Sequence, residues 1–287
     1  MLLTPTFSKL YETNLTFASA FGIFYSVISV GGAFFIGSKI LKSQKLLRST
    51  PYNPPKDKTK TLLLILIGFG GCLLANYITV FLRAFGEGFG IYSDYSALED
   101  PSSTLDIIMI FIGTSLIPPL VEEFAMRNVV MQPLRKYGNL FAIICSALVF
   151  GIFHGTPTQI PFAVLCGLFL GYAVIATESI WTGVIIHSIV NGLSCCYYAI
   201  RYFTDEETAD SIYSFICLGL AALGFVALLI YISRYKDDFN RIISKNGLEE
   251  YSLKQKISKF IFAPVMFIAV IVFLLQAISM IDWAVLV

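Results

Sequence analysis

The chain has 287 residues, 56% hydrophobic and 15% aromatic but only 14% charged, with a net charge of +1. Soluble domains carry about 25% charged residues, so this composition argues against a water-soluble globule, and the near-neutral charge argues against a nucleic-acid partner. The six cysteines all lie in apolar runs and read as small buried hydrophobes; a disulfide framework or zinc ribbon needs paired loop spacings.

A helix needs about 20 apolar residues to cross a hydrocarbon core of roughly 30 Å. Eight runs meet or approach that length: 17–41, 61–85, 105–126, 138–154, 159–177, 179–200, 210–233 and 258–282. The alternating strands of a membrane barrel are absent from the sequence pattern. The expected fold is therefore all-α, a polytopic membrane bundle of about eight transmembrane helices around an intramembrane active-site cavity. Residues 1–104 would supply two spans, 105–200 a catalytic core of four, and 201–287 a final two. The first ten residues lack a basic region before the apolar stretch, so the first run is read as a retained helix and not a cleaved leader.

The connections alternate in charge. The first carries Lys42, Lys45, Arg48, Lys56, Lys58 and Lys60 against Asp57, and the second carries Glu87, Asp94, Glu99 and Asp100. Arg135 and Lys136 follow the third run; Asp205, Glu206, Glu207 and Asp210 follow the sixth; Arg234, Lys236, Arg241, Lys245, Lys254, Lys256 and Lys259 precede the last. By the positive-inside rule the basic loops are cytoplasmic and both termini are outside. The protein is expected in the bilayer as a multi-pass protein of a bacterial plasma membrane.

The third run ends in Pro118-Pro119, which should kink the helix, followed by Glu122-Glu123. An ionisable group at bilayer depth costs roughly 2.5–3.5 kcal/mol, so two adjacent acids need partners. Glu123 and Arg127 are spaced i,i+4 and share a face, whereas Glu122 is turned about 100° away and stays available. The chain has two histidines, both in apolar helices: His154 before the turn signal Gly155-Thr156-Pro157, and His187 four residues before Asn191. A carboxylate and a histidine can take a proton from water, while a second histidine and an amide can donate to an oxyanion. The same Glu122, His154 and His187 could instead hold zinc. No H-E-x-x-H or G-x-S-x-G is present, and Asp106 and Asp282 sit at span ends, against a two-aspartate site.

The ordered set Glu122-Glu123-x-x-x-Arg127, Phe150-x-x-x-His154 and His187-x-x-x-Asn191 resembles the CPBP intramembrane proteases, the group of type II CaaX prenyl endopeptidases and bacterial Abi-type proteins. The resemblance covers residues 105–195. It implies that Glu122 activates water with His154 assisting, that His187 and Asn191 stabilise the oxyanion, and that Glu123 and Arg127 support the site. It implies a membrane-associated or lipidated protein or peptide as substrate, through either a zinc or a metal-free glutamate mechanism; the donors already present favour no cofactor. A non-proteolytic scaffold or bacteriocin self-immunity protein of the same fold is the alternative, and a proton-relaying transporter a third reading.

Overall fold

A computed structural model describes residues 5–43, 52–89, 92–93, 100–244, 251–261, 264–279 and 281–282. Of the charged loop residues named above, Lys45, Arg48, Asp94, Glu99 and Lys245 lie outside the described residues.

Among the described residues, six helices are long and apolar enough to cross a membrane: α1 Leu15–Lys42, α2 Lys58–Glu87, α3 Thr104–Tyr137, α4 Gln159–Thr177, α5 Ile180–Phe203 and α6 Glu206–Arg234. The protein is a polytopic helical membrane bundle. The two remaining apolar runs are helical but shorter. Asn139–Phe153 has 15 residues, about 22 Å at 1.5 Å per residue, and stops short of a 30 Å core. The last run divides into Leu253–Ile261 and Pro264–Ser279. Two dipeptides, Tyr92–Ser93 and Ile281–Asp282, pair antiparallel.

Local chemistry sets where the helices begin. Asn14, Asp57, Ser103 and Asp205 each accept a backbone N–H three residues on, from Phe17 (2.8 Å), Lys60 (2.9 Å), Asp106 (3.1 Å) and Thr208 (2.9 Å). Each satisfies a donor that the first helical turn leaves unpaired. Asp106 also accepts from the hydroxyls of Thr16 (2.6 Å), Ser102 (2.8 Å) and Ser103 (2.9 Å), tying α3 to α1.

The loops meet as their charges require. Lys60 pairs with Asp238, Tyr235 donates to Asp57 (2.9 Å), Asn139 donates to the Ile242 carbonyl (3.1 Å), and Lys256 donates to that of Tyr137 (2.9 Å). These contacts collect the basic connections at one end of the bundle. At the other end Arg201 pairs with Asp100 at 2.9 Å.

Inside, α2 packs along α4 and α6. A Cβ at Gly224 would lie 2.9 Å from the Leu66 carbonyl oxygen and 3.1 Å from the Gly70 Cα, so α2 and α6 touch backbone to backbone. Close approach through small residues suits helices in lipid, where dispersion rather than water expulsion drives packing. Leu64, Phe150, Leu170, Val174 and Ile186 fill the centre, while Phe81, Phe215, Leu218 and Phe225 point outward, as lipid-facing side chains do.

Candidate active site

Helix α3 carries both glutamates and is irregular around them. Its turns widen to an i→i+5 pattern over Phe111–Leu116 and again over Phe124–Val130, with an ordinary α segment, Ile117–Glu123, between. Pro118 and Pro119 open that α segment, directly after the first wide stretch. An α-helical donor to the Thr114 carbonyl would come from residue 118 and a wide-turn donor from residue 119, and both are proline, which has no N–H. The Ile117 N–H bonds to the Ile112 carbonyl instead. The Thr114 oxygen is therefore released by its own helix, and Asn191 Nδ2 on α5 donates to it at 3.0 Å. Beside it, the Ser115 hydroxyl donates to the Ser188 carbonyl at 2.9 Å. Wide turns of this kind recur at functional sites.

Glu123 and Arg127 are both fully buried and form the expected i,i+4 pair, with Arg127 Nε 2.9 Å from Oε2 and Nη2 3.5 Å from Oε1. The guanidinium also donates to the Ser146 hydroxyl at 3.3 Å and lies 5.5 Å from the centre of the Phe150 ring. Glu123 has a second partner that the sequence did not reveal: His187 Nδ1, 3.3 Å from Oε1. The opposite nitrogen of that ring, Nε2, lies 3.8 Å from Glu122 Oε2. His187 thus stands between the two acids. Gly183, one turn earlier on α5, makes the approach possible, because a Cβ there would lie 2.6 Å from Glu123 Oε2.

His154 follows the short helix Asn139–Phe153. Gly155 turns the chain there with φ +66°, a conformation that favours glycine at a helix end. The helix therefore stops about 22 Å from its start, and His154 stays at membrane depth. Its Nδ1 is 2.7 Å from the Phe150 carbonyl oxygen. A carbonyl only accepts, so Nδ1 carries the proton and a neutral ring keeps its lone pair on Nε2.

Glu122, His154, His187 and Asn191 line one cavity of about 80 Å³, together with Phe150, Phe162 and the thiols of Cys72 and Cys166. That volume holds more than one water. Glu122 is partly open to it, whereas Glu123 is not. The four side chains expected to act are brought together, and the supporting pair stands behind them. Sequence reading missed Thr114, Ser115, Gly183 and the two cysteines as neighbours of the site; the double proline is the one signal that could have marked Thr114.

Both imidazoles engage a hydrogen-bond acceptor through Nδ1, as metal-bound histidines commonly do, so the chemistry of Glu122, His154 and His187 suits zinc. Their placement does not: among the described residues, no three His, Cys, Asp or Glu side chains gather closely enough to hold one ion.

Residues 104–193 match the family model described as Type II CAAX prenyl endopeptidase Rce1-like, a stretch that contains all seven motif residues. Over 173 residues the chain is 25% identical to the Bacillus subtilis (strain 168) protein named "Putative membrane peptidase YdiL", covering 58% of this chain and 68% of that one. No solved structure matches. The family resemblance read from the motifs is therefore shown, and it supports a membrane protease in general.

Proposed function

We propose that this protein is an intramembrane endopeptidase that hydrolyses a peptide bond of a membrane-associated or lipidated protein in a bacterial plasma membrane. The observation that carries this reading is the convergence of Glu122, His154, His187 and Asn191 on a single cavity within the bundle.

The chemistry follows from which atoms are committed. A water in the cavity donates its hydrogens to the Glu122 carboxylate and to His154 Nε2, both acceptors. As its oxygen bonds to the scissile carbonyl carbon, one proton passes to Glu122 and the carbonyl π pair moves onto oxygen. Asn191 Nδ2 has two hydrogens, one given to Thr114, and the other is available to the oxyanion. His187 can donate through Nε2 only as the imidazolium, because its Nδ1 hydrogen faces Glu123. The ring is thereby held with Nε2 towards Glu122 and the cavity. Collapse of the intermediate breaks the C–N bond, and the proton held on Glu122 goes to the leaving amine. A donor of this type lowers the barrier by about 3–4 kcal/mol.

The test is comparative proteomics of membrane peptides from cells carrying wild type or Glu122→Gln. Membrane-anchored fragments present only with wild type are expected, from a variant that still folds. Equal fragment pools would sink the proposal.

A further inference from the structure

A second cavity, of about 670 Å³, lies away from the catalytic one, between the outer face of Asn139–Phe153 and the short helix Leu253–Ile261. Leu140, Ile144, Leu148 and Ile152 line it at helical spacing on one side, and Ile257 and Phe260 close the other. From Leu140 to Ile152 the groove runs about 18 Å along the helix, the depth of roughly one leaflet of a 30 Å core. None of Glu122, His154, His187 or Asn191 lines it, so its occupant is not placed for cleavage.

The rim identifies the occupant. Tyr137 and Tyr251 meet at 5.8 Å between ring centres where the groove opens at the basic end, the level at which aromatic residues mark a membrane interface. Lys136 lies 4.9 Å from the Tyr137 ring and Lys259 lies 4.7 Å from that of Tyr251. Lys256 lines the groove itself and donates to the Tyr137 carbonyl at 2.9 Å. Residues 251–261 hold three lysines and no acid, and Leu253, Ile257 and Ile261 form an exposed apolar face along the groove on a helix of nine residues. A short basic helix with an apolar face lies in the membrane interface, and clustered lysines there attract anionic lipid.

We infer that this groove binds one anionic phospholipid of the basic-side leaflet, with an acyl chain against Leu140–Ile152 and the phosphate among Lys136, Lys254, Lys256 and Lys259. The site does not depend on the protease reading. Its lipid fastens the helix 253–261 to Asn139–Phe153, the helix that His154 follows.

Native mass spectrometry of the full-length protein tests this, using phosphatidylglycerol and phosphatidylcholine with identical chains. Wild type is expected to retain one phosphatidylglycerol at least tenfold better than phosphatidylcholine, each lysine contributing about fivefold. The exposed double substitution Lys254→Gln/Lys259→Gln, which removes two of the four lysines, should lower that ratio about 25-fold. Leu148→Trp, which fills the groove, should lower retention of both lipids with the thermal transition unchanged. Equal retention of the two lipids by wild type overturns the assignment. So does a ratio unchanged by the double substitution. Stoichiometric displacement of phosphatidylglycerol by a farnesylated peptide would make the groove a substrate-anchor site instead and likewise overturn it.

Discussion

Glu123 holds His187 as well as Arg127, with the imidazole Nδ1 3.3 Å from one carboxylate oxygen and the guanidinium Nε 2.9 Å from the other. One buried acid therefore shares its charge between a cation that is permanent and one that appears only on protonation. Glu122, 3.8 Å from the far side of the same ring, is left to face the cavity. The adjacent acids differ in their surroundings because a single step along the helix rotates them apart.

Removing Arg127 should be felt first as lost stability. Arg127→Ala leaves the Glu123 carboxylate buried beside His187 alone, and breaking such a pair typically costs about 3–5 kcal/mol. Thermal unfolding in detergent should show a large drop in midpoint. A variant as stable as wild type would show that Arg127 does not support the site.

Gly183→Ala tests the packing that brings His187 to Glu123. The added methyl would sit 2.6 Å from Glu123 Oε2 and 2.8 Å from Val174 Cγ2, so one of them must move. Overpacking of this size costs about 1–3 kcal/mol. Activity should fall along with the unfolding midpoint, and unchanged activity at unchanged stability would contradict the close approach.

Asn191→Ala removes both the proposed oxyanion donor and the partner of the Thr114 carbonyl. A loss of about 10²–10³ in kcat is expected, with KM changed much less. If KM rises while kcat holds, Asn191 binds substrate and takes no part in oxyanion stabilisation.

The metal-free route predicts that purified protein cleaves substrate after exhaustive chelation, and that elemental analysis finds zinc well below one per chain. Stoichiometric zinc that disappears in His154→Ala would replace the Glu122–His154 water with metal chemistry.

Much of this molecule follows from local rules. The apolar runs, the capping residues Asn14, Asp57, Ser103 and Asp205, and the alternating loop charges specify where helices start and which ends meet. The Glu123–Arg127 pair was legible because four residues along one helix is a fixed geometry. The extent of Asn139–Phe153 was legible too: the sequence reads as a run over 138–154 closed by the turn signal Gly155-Thr156-Pro157, within a residue of the observed helix at each end.

The sequence alone determined a helical membrane protein with seven motif residues in order and one internal ion pair. Tertiary structure decided the rest: that His187 reaches Glu123 across 64 residues, that Asn191 satisfies Thr114 across 77, and that both histidines open onto one cavity. The reason is physical. In lipid a helix is apolar on nearly every face, so its pattern does not show which side packs inward. That choice rests on small-residue contacts and on buried polar groups finding one another, and both depend on helices far apart in the chain.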